Sequence, residues 1–226
     1  MSALRVLAVV PAHDEAERIA DTVKLLDQLP QVDRVAVVDD GSRDGTGDEA
    51  RAAGAIVLSS RRRLGKGGAM EEALRRLPVA HVYLFVDADV AATAGSAGPL
   101  VDAVLDGSCD LAIGRLPPQA GGGFGVVRRL AAALIRACAG FRASAPLSGQ
   151  RAIRASALLA CRPLAAGFGM ETAMTIDAVR AGYRVREVDV DMTHRATGRG
   201  LPGFVHRARQ GIEILQAGLS RLAHRR

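Results

Sequence analysis

An apolar run ends in two aspartates at Val82-Tyr83-Leu84-Phe85-Val86-Asp87-Ala88-Asp89. Such a run predicts a strand buried on both faces, which is typical of a parallel sheet covered by helices. The two carboxylates then lie at the carboxyl end of the strand, where like charges so close together need a cation. Their oxygen atoms suit Mg²⁺ or Mn²⁺. Aspartates also cap turns, so the motif needs support from the rest of the sequence.

Upstream of this run, short β-branched stretches alternate with stretches of helical periodicity. Strands are predicted over Leu4–Val10, Arg34–Val38, Ala55–Leu58 and His81–Val86, and helices over Glu15–Leu29, Gly45–Ala53 and Gly68–Leu77. The alternation predicts βαβ units in an α/β fold, with a central, mostly parallel sheet flanked by helices. Ligands of such sheets bind in the crevice beyond the carboxyl ends of the strands.

Three polar motifs occupy positions at or near that crevice. Pro11-Ala12-His13-Asp14-Glu15 follows the first strand, and Asp39-Asp40-Gly41-Ser42 follows the second, where a carboxylate can accept from a nucleobase or a ribose hydroxyl. Gly65-Lys66-Gly67-Gly68 precedes a helix, so its amides and ammonium can receive a phosphate. The spacing is not that of a Walker A loop.

Composition limits the classes of ligand and location. The net charge of +6 comes with arginine-rich stretches, which suit anionic ligands, while the 3% aromatic content and the lack of a helix-turn-helix pattern argue against nucleic acid. Cys109, Cys138 and Cys161 have irregular spacing and are expected to be buried thiols. With no apolar run of about 18 residues and no secretory signal, a cytoplasmic protein is expected.

The second half is less regular. It predicts a glycine-rich loop over Gly121–Gly125, helices over Val126–Ala139 and Glu171–Ala181, a turn at Ser148-Gly149 and a strand over Arg184–Met192. A last helix over Phe204–Leu222 carries one apolar stripe, formed by Val205, Ala208, Ile212, Leu215 and Leu219. Such a stripe favours a helix docked on the domain, with a membrane contact as the alternative.

Together the motifs resemble the nucleotide-binding half of family 2 glycosyltransferases. The matching segments are Val10–Glu15, Val38–Thr46, Gly65–Gly67 and Asp87–Asp89. The resemblance implies a GT-A (Rossmann-like nucleotide-diphospho-sugar transferase) fold in one domain, 1–226, with a nucleotide-sugar-binding half at about 1–115 and an acceptor half at about 116–226. It also implies a donor site with Asp89 on the metal and Lys66 near the diphosphate; its other members are Pro11, Ala12, His13, Glu15, Asp39, Asp40, Gly41, Asp87 and Ala88.

The second half is similar to two families of glycosyltransferase. Dolichol-phosphate mannose synthases are suggested by Ile113-Gly114-Arg115, Ser148–Ala152 and Glu187–Val190, followed by Arg195 and Gly198; Leu201 replaces an expected basic residue, with Arg199 as a substitute. Glucosyl-3-phosphoglycerate synthases are suggested by Pro146–Gly149, Gly167–Glu171 and His194-Arg195. The second resemblance implies that Glu171 lies at the donor and acceptor sugars and that His194 completes the metal site.

The function expected from these resemblances is a metal-dependent transfer of a sugar from a nucleotide diphosphate, with UDP-glucose as the favoured donor. The acceptor is an anionic small molecule or a lipid phosphate. The expected catalytic residues are Asp87, Glu171 and Arg115; the metal ligands for Mg²⁺ or Mn²⁺ are Asp87, Asp89 and His194; the acceptor-binding residues are Arg128, Ser148, Gly149, Arg151, Arg195 and Arg199.

Two other functions are compatible with parts of this sequence. A nucleotide-sugar-binding regulator or partner subunit without turnover is the non-enzymatic alternative. A nucleotidyltransferase is less favoured, because its phosphate loop would directly follow the first strand, where this chain has Pro11–Glu15. The stereochemical outcome, a peripheral contact with the inner face of the membrane and a homodimer stay open.

Overall fold

The computed structural model describes residues 5–117, 125–167, 169–193 and 212–221. The strands are β1 (Val6–Ala12), β2 (Arg34–Asp39), β3 (Ile56–Ser59), β4 (Val82–Phe85), β5 (Leu111–Arg115), β6 (Arg151–Arg154) and β7 (Val185–Asp189). The helices are α1 (Ala16–Asp27), α2 (Thr46–Ala52), α3 (Lys66–Ala73), α4 (Gly98–Leu105), α5 (Gly125–Ala139), α6 (Ala155–Ala160), α7 (Gly169–Arg180) and α8 (212–221), and a 3-10 helix spans Ala88–Ala97.

The seven strands form one sheet in the order β3-β2-β1-β4-β6-β5-β7. Strands β1 to β4 are mutually parallel, and β5 is parallel to β7. Strand β6 is antiparallel to both of its neighbours, β4 and β5. The predicted α/β fold with a mostly parallel sheet is therefore confirmed, and the carboxyl ends of β1, β2 and β4 lie at one edge.

The sheet is covered on both faces by apolar side chains. Alternate residues of β1 face opposite ways, because side chains along a strand alternate. Val6, Ala8 and Val10 pack against α1, the 3-10 helix and α4. Leu7 and Val9 pack with side chains of α3, α6 and α7 on the other face. This two-sided burial explains why the strands of the first half are almost continuously apolar.

Helix α8 docks on the domain with a different face from the one its sequence suggested. Ile214 and Ala217 are buried, whereas Ile212, Leu215 and Leu219 of the predicted stripe are 38–56% exposed. The reason is close approach by small residues: a methyl added at Gly218 would lie 2.8 Å from Leu134 Cδ1 of α5. The rest of the stripe lies outside the described residues. No helix in the described ranges is long and apolar enough to cross a membrane.

Candidate active site

Asp39 is the last residue of β2 and Asp40 directly follows it, and both are nearly buried, at 7% and 5% exposure. Asp40 accepts from two main-chain amides, Leu64 N at 2.6 Å and Gly65 N at 2.8 Å. Its carboxylate therefore holds the loop that leads into α3. Asp39 accepts from Ser42 N at 3.0 Å through one oxygen, Oδ1. Of the two, Asp39 is the better placed for a nucleobase or ribose.

The loop after β1 is tied to the loop after β2. His13 Nδ1 lies 2.9 Å from the carbonyl oxygen of Asp40. The amide of Asp14, which has a φ of 54°, donates to Ser42 Oγ at 3.0 Å. The amide of Glu15 donates to Thr46 Oγ1 at 2.9 Å. These contacts make one cradle from two segments that the resemblance assigned to the donor nucleotide.

Lys66, the first residue of α3, joins two carboxylates from distant parts of the chain. Its Nζ lies 2.5 Å from Asp87 Oδ1 and 2.7 Å from Glu171 Oε1. Burial by itself lowers the pKa of Lys66, but the charges and hydrogen bonds of Asp87 and Glu171 outweigh it, so the pKa is raised above its usual value. The ammonium is thus charged at neutral pH and holds together two groups that would otherwise repel each other.

Asp87 is held from its other side by Gln150, the residue directly before β6. The amide of Asp87 donates to Gln150 Oε1 at 3.0 Å, and Gln150 Nε2 donates to Asp87 Oδ2 at 2.9 Å. Gly149 allows this approach, because a methyl added there would lie 2.2 Å from Asp87 Oδ2. Gly149 therefore lies directly against Asp87, and its lack of a side chain leaves space for the Asp87 carboxylate.

Arg151 does not present its charge to an acceptor as predicted, because its side chain is fully buried. Its guanidinium donates to the carbonyl oxygens of Ser148 at 2.7 Å and Glu171 at 2.9 Å, and to Thr175 Oγ1 at 3.0 Å. Burial lowers the pKa of Arg151 to about 10, which still leaves the group charged at neutral pH. Arg151 thus anchors the first turn of α7 against the turn at Ser148.

The residues at the end of β4 fit a hard divalent cation by the chemistry of their donor atoms. Asp87 and Asp89 are half-buried and separated by one residue, and carboxylate oxygens are the ligands that Mg²⁺ and Mn²⁺ prefer. Within the described ranges, there is no group of three or more His, Cys, Asp or Glu side chains that could hold a metal ion. The third predicted ligand, His194, lies outside those ranges.

The remaining predicted residues are scattered. The side chain of Arg115 is 48% exposed and forms a bidentate ion pair with Asp189 of the neighbouring strand. The structure therefore does not place Arg115 in the cluster formed by Lys66, Asp87 and Glu171. Arg128 is exposed on α5, and Ser148 Oγ accepts from Gln150 N at 3.3 Å. Arg195 and Arg199 lie outside the described residues. A catalytic role for Arg115 and acceptor roles for the others stay predictions.

Gln150 is the residue of this site that sequence reasoning missed. It lies inside the segment Ser148–Ala152, which contributes to the sequence analysis only as part of a resemblance. Its signal would have been a polar residue with both donor and acceptor groups, directly after a glycine at the start of a strand. Nothing in the sequence alone indicates that this strand pairs with β4.

The arrangement is that of a GT-A protein, with polar loops and acidic residues at the carboxyl edge of a mostly parallel sheet. The model of glycosyl transferase family 2 matches residues 7–159, which is more than half of the chain. The chain therefore belongs to that family, as the motifs of its first half predicted.

Two curated relatives are glycosyltransferases by name. Undecaprenyl-phosphate mannosyltransferase from Micrococcus luteus is 33% identical over 212 residues, covering 86% of this chain and 86% of the relative. Glycosyltransferase AglJ from Haloferax volcanii is 29% identical over 199 residues and covers 85% of this chain. The chain spans 64% of the length of the Haloferax protein.

Solved structures of glucosyl-3-phosphoglycerate synthase from Mycobacterium tuberculosis are similar over almost the whole chain. The complex with Mg²⁺ and uridine-diphosphate has a TM-score of 0.79 at 26% identity, covering 97% of this chain and 79% of that one. The complex with Mn²⁺, UDP-glucose and phosphoglyceric acid has a TM-score of 0.78 at 25% identity, with coverages of 97% and 80%. The similarity confirms the GT-A fold beyond the segment that the family model matches.

Proposed function

We propose that this protein is a metal-dependent glycosyltransferase that moves a hexose from a nucleotide diphosphate, with UDP-glucose as the favoured donor, to an anionic acceptor. The observation that carries the proposal is the contact of Lys66 with both Asp87 and Glu171. It brings an acidic residue of the donor half and one of the acceptor half together at the carboxyl edge of the sheet. That edge is where ligands of such sheets bind.

Each residue of this site has a chemical task that follows from its contacts. Asp39, at the end of β2, would accept from the base or ribose of the donor. Lys66, charged at neutral pH, would place positive charge beside the diphosphate. Glu171 is 4% exposed at the first turn of α7, where its carboxylate can accept from a sugar hydroxyl.

Asp89 and Asp87 would hold the divalent cation, joined by His194 if the resemblance holds there. Bound there, the cation would neutralise charge developing on the departing nucleotide diphosphate. If the acceptor is a hydroxyl and the transfer inverts, a carboxylate must also take its proton, whereas an acceptor phosphate needs no base.

The donor and the acceptor are proposed with support from the relatives. The Mycobacterium structures contain UDP, UDP-glucose and phosphoglyceric acid. A phosphorylated small acid is therefore our first candidate acceptor, and exposed arginines such as Arg128 are suited to its charge.

A lipid phosphate is the second candidate acceptor. It is favoured by the name of the Micrococcus relative and by the outward side chains of α8, where Ile212 and Leu219 are each 56% exposed. Exposed apolar side chains along one side of a helix can enter a bilayer surface. The two candidates therefore differ in whether the protein needs vesicles in order to act.

The first experiment measures thermal stability with UDP-, GDP-, dTDP- and CDP-sugars, each with and without Mn²⁺, because a ligand that binds the folded state raises its stability. We expect a Mn²⁺-dependent shift with the UDP-sugar. Asp89→Asn should abolish the Mn²⁺ dependence, whereas Asp21→Asn, an exposed carboxylate of α1, should not. No shift with any donor would contradict the proposed donor site.

A transfer assay then distinguishes the acceptors and the rival functions. Radiolabelled UDP-glucose is incubated with 3-phosphoglycerate or with undecaprenyl phosphate in phosphatidylglycerol vesicles, and the labelled product is separated by charge or by extraction. Donor binding without transfer to either acceptor would favour a regulator. Nucleotide-sugar synthesis from a sugar phosphate and a nucleoside triphosphate would favour a nucleotidyltransferase.

A further inference from the structure

We propose that Gln150 is a positioning residue, which fixes the carboxylate of Asp87 in the orientation that the donor and its cation require. This inference rests on the proposed function and adds a residue to its site. Gln150 is fully buried, and both ends of its amide bind one residue. Asp87 N donates to Oε1 at 3.0 Å, and Nε2 donates to Asp87 Oδ2 at 2.9 Å.

The pair of contacts admits only one orientation of the amide. A main-chain N–H can only donate, so it must face the oxygen of Gln150, and a carboxylate oxygen can only accept, so it must face the nitrogen. Meanwhile Lys66 Nζ binds the other carboxylate oxygen, Oδ1, at 2.5 Å. The two oxygens of Asp87 are thus held by different residues, which prevents the carboxylate from rotating about its own axis.

Gln150 is itself fixed by the sheet. Its main-chain carbonyl oxygen accepts from Gly114 N at 2.8 Å, and its main-chain N–H donates to Ser148 Oγ at 3.3 Å. Gly114 lets the strands approach, since a methyl added there would lie 3.0 Å from Gln150 Cβ. A buried, doubly held side chain loses little freedom when a ligand binds, so it can hold Asp87 before the donor arrives.

The segment before Gln150 is anchored from β7 as well. Glu187 accepts from the amides of Ser144 and Ala145, both at 2.7 Å. The position of Asp87 therefore depends on contacts that pass from β7 through the 144–150 segment to β4. A neutral amide suits this role, because it restrains a carboxylate without adding a further negative charge beside a cation site.

Removing the restraint should weaken cation binding more than folding. Groups that hold a metal-binding carboxylate without touching the metal typically contribute about 10–100-fold to metal affinity or activity. For Gln150→Met, which keeps the length of the side chain but neither hydrogen bond, we expect the Kd for Mn²⁺ in the presence of UDP to rise by about 10–100-fold. A purely structural role would lower the number of competent sites and leave the Kd of those sites unchanged.

The test is a Mn²⁺ titration followed by electron paramagnetic resonance at saturating UDP, which gives the Kd and the number of sites separately. Gln31→Met is the matched control, because Gln31 Nε2 also binds a carboxylate, Asp102 Oδ1 at 2.9 Å, outside the site. Its Kd should equal that of the wild type. Gln150→Asn, whose shorter side chain cannot span both atoms of Asp87, is the second variant if the first does not fold.

The outcomes separate this inference from the function on which it rests. Wild-type binding of Mn²⁺ with UDP, with a raised Kd in either Gln150 variant, supports the inference. An unchanged Kd in a folded Gln150 variant overturns it and leaves the proposed function standing. If the wild type binds no Mn²⁺ with UDP, both the inference and the proposed donor site are overturned.

Discussion

Replacing Lys66 by methionine removes the charge that joins Asp87 to Glu171. With an effective dielectric constant of about 20, each carboxylate attracts the ammonium by about 4 kcal/mol at a charge separation of about 4 Å. Desolvation offsets most of this, and removal of one partner of a buried pair costs about 3–5 kcal/mol. The side chains of Lys66 and Asp87 are 20% and 24% exposed, so we expect the lower end, about 3 kcal/mol.

The assay is thermal and urea unfolding followed by circular dichroism, which suits a chain without tryptophan. For a domain of this size, about 3 kcal/mol corresponds to a fall in Tm of about 6–12 °C. Lys24→Met is the matched control, since Lys24 is exposed on α1, and its free energy of unfolding should change by less than about 0.5 kcal/mol.

The pH dependence gives a second check on Lys66. Its pKa is raised in the folded protein, so its stabilisation is fully present below the unfolded pKa of about 10.4 and is lost only as the pH rises through the still higher folded value. The difference between wild type and Lys66→Met should therefore be constant between about pH 6 and pH 9. A loss no larger than that of Lys24→Met, or one that vanishes across this range, would refute the reasoning.

Two further predictions concern glycines that make room at the site. Gly149→Ala should lower transfer by about 10-fold or more, because the added methyl would lie 2.2 Å from Asp87 Oδ2 and must displace it, while Gly95→Ala, with nothing within 4 Å, should retain activity in the same assay. Gly67→Ala should destabilise the fold by about 2 kcal/mol or more in urea, since its methyl would lie 1.9 Å from a backbone oxygen before α7. Gly68→Ala on the same helix should be neutral or stabilising, and equal stabilities of the two variants would contradict this packing.

The expected strands of the first half were confirmed with ends that differ by one or two residues. The apolar runs of β1, β2 and β4 are largely buried between the two layers of helices, and a nearly continuous apolar run of this kind can be recognised in the sequence. Strands β5 and β6 were not predicted. Strand β6 contains only four residues, two of them arginines, so its sequence lacks the apolar run of a buried strand.

The polar loops after β1 and β2 and the two aspartates after β4 could be predicted from sequence, because each is a local pattern at the end of an apolar run. The glycine-flanked Lys66 could be predicted as well, because it directly precedes a helix. The contact between Lys66 and Glu171, more than a hundred residues apart, was decided by tertiary packing. Tertiary packing also decided the hydrogen bonds between Gln150 and Asp87, because they require β6 to pair antiparallel with β4. Local sequence sets the conformation of each segment, whereas the pairing of distant segments depends on how their buried surfaces fit together.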